Sequence, residues 1–143
     1  MAGRGEGAPE LRIKRVYDPA EPSDGLRVLV DRLWPRGLSR QRAALDLWAK
    51  DVAPSPELRR WWQHDPARME EFANRYRREL EGNPAAEQLR ATIEARGEQP
   101  PSGTGSGKAR APAADRVTLL YAAHDPQVNH ARVLLDWLRT PRG

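Results

Sequence analysis

The stretch LRVLVDRLWPRGLSR, from Leu26 to Arg40, contains the strongest single indication of the fold. Its apolar middle is continuous, which is typical of a strand buried on both faces of a parallel sheet, and we predict a strand over Leu26 to Leu33. Asp31 and Arg32 break the apolar run, and a tryptophan, a proline, a second arginine and a glycine follow at once. Polar residues at the carboxyl end of a buried strand indicate the rim of a pocket.

Predicted strands and helices alternate on both sides of this segment. Helices are predicted where a capping residue precedes the first turn, in most cases with a proline in that turn. Interleaved strands and helices predict an α/β fold, a small and mainly parallel sheet flanked by helices in a three-layer, Rossmann-like arrangement. The other predicted strands are LRIKRVYD (Leu11 to Asp18), LDLWAKDVA (Leu45 to Ala53, with a helix as the alternative) and RVTLLYAA (Arg116 to Ala123); the predicted helices follow Ser39, Ser55-Pro56, Asp65-Pro66, Asn83-Pro84 and Asp125-Pro126.

The length of 143 residues fits one domain, which we place at residues 11–143 after a disordered leader at residues 1–10. Residues 97–115, GEQPPSGTGSGKARAPAAD, are predicted to be a flexible insertion in that domain. Part of the insertion resembles a phosphate-binding P-loop. However, Ser102 replaces the first glycine and Ala109 replaces the hydroxyl that would hold magnesium, so the linker interpretation is preferred.

Composition excludes several classes of site. There is no cysteine, which excludes disulfides, thiolate metal sites and a cysteine nucleophile. The three histidines lack the close helical spacing of a zinc motif, and we predict no metal site. The first residues lack the apolar core of a signal peptide and no apolar run approaches about 18 residues, so we expect a cytoplasmic protein without membrane association. Only three of the 24 lysines and arginines are lysines, and biased genomic base composition explains this skew better than anion binding does.

Polar residues follow three of the predicted strands and should meet at one edge of the sheet. Asp31, Arg32, Trp34 and Arg36 follow the second strand; Lys50 and Asp51 follow the third; His124, Asp125, Asn129 and His130 follow the last. Arginines suit phosphate or carboxylate, and a helix start after Asp125 would add free N–H groups. Histidines can move protons near neutral pH, and Asp31 could act as a base or orient a histidine.

Structural explanations compete with each of these roles. Asp31 and Arg32 could simply pair at the strand end. Asp65 and Asp125 are typical helix caps, and His64 precedes an Asp-Pro helix boundary. Of the adjacent Trp61 and Trp62, one should be buried, because neighbouring residues face different directions on a helix.

Several motifs, taken in order, resemble the YeaO-like branch of the family named domain of unknown function 488 (DUF488). They are IKRVYD, VLVDRLWPRGLS, LDLWAKDVAPS, ELRRWWQHDP, FANRYRREL, VTLLYAAHD and NHARVLL, and the resemblance covers about Leu11 to Leu138. It implies a small cytosolic α/β protein with no established reaction, here carrying an insertion at residues 97–115. Position 124, often lysine in this family, is histidine here, which weakens a catalytic role for His124.

Two functional hypotheses follow, and the first is preferred. A pocket at the strand ends would bind or transform a small anionic ligand, phosphate-like or nucleotide-like. Hydrolase or transferase chemistry and simple binding both fit it, and no cofactor is indicated. Its catalytic residues would be Asp31 and His130, and its ligand-binding residues Arg15, Tyr17, Arg32, Trp34, Arg36, Lys50, Trp61, His64, Tyr121 and Asn129.

The alternative hypothesis is a regulator that binds nucleic acid. Arg59-Arg60-Trp61-Trp62 and Arg75-Tyr76-Arg77-Arg78 interleave basic and aromatic residues, as single-strand binders do. Nearby glutamates dilute this patch, and no helix-turn-helix turn is evident. Neither hypothesis predicts an oligomeric state.

Overall fold

The computed structural model of the protein describes residues 10–98, 116–125 and 128–139. Four parallel strands form one sheet in the order β1-β4-β2-β3. The last strand in the chain therefore lies inside the sheet, between the first and the second. This arrangement confirms the predicted α/β fold with a small parallel sheet. The strands are β1 (Glu10–Arg15), β2 (Leu26–Leu29), β3 (Leu47–Trp48) and β4 (Arg116–Tyr121).

Five α-helices accompany the sheet within the described residues, joined by 3-10 turns at Pro22–Asp24, Lys50–Val52 and Pro66–Arg68. Ser39 and Ser55 cap α1 and α2 by accepting the N–H groups of Arg42 and Leu58, as predicted. Asp65 accepts the N–H of Ala67 and starts the turn that leads into α3. The helices are α1 (Arg40–Ala43), α2 (Pro56–Trp62), α3 (Met69–Glu81), α4 (Pro84–Glu98) and α5 (His130–Arg139).

The two faces of the sheet are covered differently. Val28 and Val30 face the main core, where they pack with apolar residues of α2 to α5. Leu29, between them, faces a smaller cluster with Leu38 and Ala43 on the opposite side. All three strand residues are fully buried. The continuous apolar run in β2 therefore reflects burial on both faces, as its pattern predicted.

All four predicted strands are shorter in the structure: β1 ends at Arg15 rather than Asp18, and β4 at Tyr121 rather than Ala123. β2 ends at Leu29 rather than Leu33, although the N–H of Val30 still bonds to Leu120 across the sheet. The next residue, Asp31, accepts the N–H of Ala122, just beyond β4, with its carboxylate rather than with its main chain. β3 contains only two residues, since the Ala53 N–H closes a turn onto the Lys50 carbonyl and the chain leaves the sheet edge.

The predicted start of α5 is wrong. α5 begins at His130, and Asn129 caps it by accepting the N–H of Arg132 at 3.0 Å. Asp125 instead accepts the N–H of Val128 at 3.3 Å, and it lies five residues before His130, the first residue of α5. Residues 126–127 lie outside the described residues. Because α5 does not follow Asp125 directly, the anion site predicted at a helix start after Asp125 does not exist in that form.

The predicted leader and linker fall almost wholly outside the described residues. Glu10, assigned to the leader, is the first residue of β1, and α4 continues through Gly97 and Glu98. Within the described part of the chain, no helix has the length and apolar character needed to cross a membrane.

Candidate functional site: a basic cluster at the strand ends

Asp31 lies at the carboxyl end of β2, where its two carboxylate oxygens have different surroundings. Oδ2 accepts the N–H of Ala122, just beyond β4, at 3.1 Å. Oδ1 is buried without a hydrogen bond and lies 3.4 Å from Nε2 of His130. The Asp31 carbonyl accepts the indole N–H of Trp48 at 2.8 Å. Asp31 therefore joins the ends of three neighbouring strands while one of its oxygens stays unsatisfied.

His130 is the first residue of α5, and its imidazole lies against the end of β2. Nε2 is 2.9 Å from the carbonyl of Val30, which can only accept, so Nε2 carries the proton and donates it. The ring also contacts the ring of Tyr76 edge-on, with 6.1 Å between centroids. His130 is therefore in the tautomer whose Nε2 carries the proton. The hydrogen-bond partner of Nε2 is the Val30 carbonyl, and Asp31 is only an electrostatic neighbour.

His64 joins these two residues from the end of α2. It follows Gln63, and both residues have a positive φ, 55° and 52°, an uncommon conformation for side chains other than glycine. The His64 ring packs edge-on against Trp62 at 4.6 Å between centroids, while the residue itself stays exposed. The irregular end of α2 thus brings a solvent-accessible imidazole into the neighbourhood of the buried one.

Burial and neighbouring charges together set the pKa values of the two histidines. Burial lowers the pKa of His130; Asp31 and the Val30 carbonyl oppose this effect, and Arg59 adds to it more weakly. Partial burial also lowers the pKa of His64, and His130 and Arg59 act in the same direction, against Asp31. The pKa of each imidazole is therefore held below its ordinary 6.5.

Arg32 completes the group. Its Nη2 donates to the carbonyls of Ala53 and Pro54 at 3.2 and 3.3 Å, and its Nε is buried without a partner. The charges of Arg32 and Asp31 both act on the buried Tyr76, whose hydroxyl donates to the Val52 carbonyl. We refer to Asp31, Arg32, Arg59, His64 and His130 as the strand-end cluster.

A second group of the predicted site residues lies on the other face of the sheet. Tyr17 and Trp34 pack against the smaller apolar cluster there. The Tyr17 hydroxyl donates to the carbonyl of Arg36, and the guanidinium of Arg15 lies 5.1 Å from the Tyr17 ring. The Arg36 side chain is exposed and makes no hydrogen bond or ion pair with any described residue. The DRLWPRG segment therefore contributes to both faces of the sheet, with Asp31 and Arg32 in the strand-end cluster and Trp34 and Arg36 outside it.

The remaining predicted residues have local structural partners. The ring of Trp61 is flanked by the guanidinium groups of Arg68 and Arg75, and Tyr121 is buried in the main core, where burial raises its pKa. Asn129 is fully buried and caps α5. Lys50 lies over the Trp48 ring and lines a groove of about 290 Å³ between β3 and α4, away from the strand-end cluster.

The sequence interpretation placed Arg59 in a nucleic-acid patch rather than in the site. Its position in the last turn of α2, five residues before His64, was the available signal. Among the described residues, no group of three or more histidine, cysteine, aspartate or glutamate side chains is arranged to hold a metal ion.

Comparison with known proteins identifies the family. Residues 10–98 match the family model described as the inactive DUF488-N3 subclade. The chain is 42% identical over 132 residues to the uncharacterised protein YeaO of Escherichia coli, covering 91% of this chain and 97% of YeaO. It is 50% identical over 80 residues to uncharacterised proteins of Mycobacterium tuberculosis and Mycobacterium bovis, covering 56% of this chain and 68% of each relative. No solved structure matches. The chain belongs to the DUF488 family, in its YeaO-like branch.

Proposed function

We propose that this protein binds a small oxyanion, such as a phosphate group, at the strand-end cluster without transforming it. One observation supports the proposal above the others: the imidazoles of His64 and His130 lie within electrostatic reach of Asp31 and Arg59, and neither Arg59 nor Arg32 forms an ion pair with a described residue. Concentrated positive charge without a matching carboxylate attracts anions, and arginine binds tetrahedral oxyanions through paired N–H donors.

Several other cations of the protein do form ion pairs. Lys14 and Arg27 both pair with Asp24, and Arg77 and Arg116 pair with carboxylates of other elements. A second carboxylate near the cluster, that of Glu79, is occupied by the N–H and hydroxyl of Ser55. The oxygens of Glu79 are therefore engaged by Ser55, and neither Arg32 nor Arg59 is paired with them.

Two observations support binding rather than catalysis. Asp31 and His130, the predicted catalytic pair, direct their polar atoms to main-chain groups of Ala122 and Val30. Such bonds hold strand ends and a helix start together, and they engage one polar atom of each side chain, Oδ2 of Asp31 and Nε2 of His130, in the fold. The matched family model is also described as inactive.

The nucleic-acid hypothesis is weaker because its aromatic residues are not available for stacking. Trp62 and Tyr76 are buried in the main core, at 2% and 0% exposure. Trp61 is already flanked by Arg68 and Arg75. A single-strand binder needs exposed aromatic faces, and this patch leaves no ring with both faces open.

Isothermal titration with sulfate and inorganic phosphate at low ionic strength tests the proposal. Arg59→Gln should weaken binding about tenfold, corresponding to about 1.4 kcal/mol for one charge-assisted contact. Arg60→Gln is the matched control, because Arg60 is an exposed neighbour on the same helix that affects neither histidine. It should bind as the wild type does.

Arg36→Gln separates the two faces of the sheet. We expect it to leave anion affinity unchanged, since Arg36 lies with Tyr17 and Trp34 outside the cluster. Loss of binding in Arg36→Gln but not in Arg59→Gln would move the site to the other face. Failure of the wild type to bind either anion at low salt would contradict the proposal altogether.

A further inference from the structure

We propose that the strand-end cluster takes up about one proton when it binds its anion, shared between His64 and His130. The inference rests on the proposed function and specifies how the same site is regulated. Its consequence is an affinity that rises as the pH falls, even for an anion that does not itself titrate.

The position of His130 is the first geometric reason. The imidazole lies between the end of β2 and α3, with its side chain 12% exposed, and its Nε2 proton is already given to the Val30 carbonyl. A second proton must therefore reside on Nδ1. It would add a positive charge at the first residue of α5, where the helix dipole disfavours cations.

The groups around His130 explain why the free protein resists this protonation. From the end of β2, Asp31 approaches within 3.4 Å and Arg32 follows it. From α2 and the residues just after it, Arg59 and His64 contribute positive charge. From α3, Tyr76 contributes a neutral phenol whose pKa is raised by burial, and Glu79 is bound to Ser55. Burial thus outweighs the opposing effect of Asp31, and the positive charge of Arg59 adds to the effect of burial.

An anion bound among these groups reverses the balance. It neutralises Arg32 and Arg59, and it offers acceptors to any new imidazole N–H. The lowered pKa of each histidine then rises on binding, which means that the complex holds more protons than the free protein. Because linkage is reciprocal, uptake of one proton makes affinity rise by at most about tenfold for each unit of pH decrease.

Sulfate is the appropriate probe because it remains a dianion throughout the range in which histidine titrates. Calorimetric titration of the full chain with sulfate at about pH 7, in two buffers of different ionisation enthalpy, measures the protons taken up. We expect a net uptake of about one proton for the wild type. His64→Gln should lose at least half of it, and His124→Gln, which removes an exposed histidine outside the cluster, should retain it.

Histidine titrations followed by NMR on the wild-type chain provide a second measurement that requires no variant. With saturating sulfate, the pKa values of His64 and His130 should rise from their lowered positions. Sulfate binding without proton uptake and without these rises would overturn the inference while leaving the proposed function intact. Absence of sulfate binding would overturn both, and proton uptake that disappears only in His124→Gln would overturn the inference.

Discussion

Strand β2 lies between two carboxylates whose surroundings contrast. Asp24, two residues before the strand, receives hydrogen bonds from Lys14 at 2.9 and 3.0 Å, from Arg27 and from the Glu21 N–H. Its side chain is 1% exposed. Asp31, just after the strand, accepts one main-chain N–H and leaves Oδ1 without a hydrogen bond at 19% side-chain exposure.

The difference indicates which cluster is structural and which is functional. Around Asp24 the cations and the carboxylate satisfy one another, so nothing there requires a further partner. Around Asp31 the polar atoms are only partly used, since Oδ1 of Asp31 and Nε of Arg32 are buried without a partner, an arrangement that folding stability alone does not explain. We therefore interpret the charged group around Asp24 as structural and the strand-end cluster around Asp31 as functional.

Removing each carboxylate tests this contrast most strongly. Asp24→Asn should lower the free energy of unfolding by about 3–5 kcal/mol, because it leaves the buried Arg27 and the nearly buried Lys14 without their counter-charge. Asp31→Asn should cost only about 1 kcal/mol, since an asparagine oxygen still accepts the Ala122 N–H. Urea denaturation followed by tryptophan fluorescence measures both values.

Equal losses in the two variants would break the comparison. They would mean that Asp31 is as much a structural ion-pair partner as Asp24, and that the strand-end cluster is part of the folding core. A gain in stability for Asp24→Asn would show that desolvation of that carboxylate outweighs its ion pairs.

Much of the fold followed from the sequence because local signals determine it. The continuous apolar run of β2 and the caps at Ser39 and Ser55 each involve neighbouring residues only, and all three agree with the structure. The start of α5 was mispredicted because Asp125-Pro126 has the pattern of a cap. Asn129, whose side chain accepts the N–H three residues later, competes for that role and takes it.

The candidate site was predictable only in part. Convergence of parallel strand ends correctly brought Asp31 and His130 near each other. It could not separate Arg32 from Arg36, because the path of the chain across the sheet edge depends on tertiary packing of Leu38. Arg59 was assigned elsewhere since no local pattern shows that the last turn of α2 lies beside the start of α5.

The pH dependence of stability should resolve the two clusters as separate steps. His130 has a pKa below its ordinary 6.5 in the folded protein, so its contribution is complete above about pH 6.5 and is lost as the pH falls through the folded pKa. For Asp24, burial raises the pKa, but the Glu21 N–H, Lys14 and Arg27 together hold it below 3.8. Its contribution is therefore present above about pH 3.8 and lost only at lower pH.

Urea denaturation as a function of pH, in buffer free of multivalent anions, measures these two steps. His130→Gln should flatten the dependence just below about pH 6.5 and leave the lower step. Asp24→Asn should do the reverse. A single step that both variants reduce equally would mean that the clusters titrate as one unit, against the contrast drawn between them.

Added salt should change the stability less than any of the preceding changes. It should also distinguish the buried Asp24 ion pairs from the more exposed strand-end cluster. The Asp24 pairs are nearly inaccessible to counterions, so the stability difference between wild type and Asp24→Asn should change by less than about 0.5 kcal/mol between low salt and about 1 M NaCl. The strand-end cluster contains the exposed His64 and Arg59, so its sulfate affinity should fall several-fold over the same range. Urea denaturation and calorimetry measure the two quantities. A salt-sensitive stability of the Asp24 ion pairs would contradict their burial. A salt-insensitive sulfate affinity would contradict an exposed, charge-driven anion site at the other end of β2.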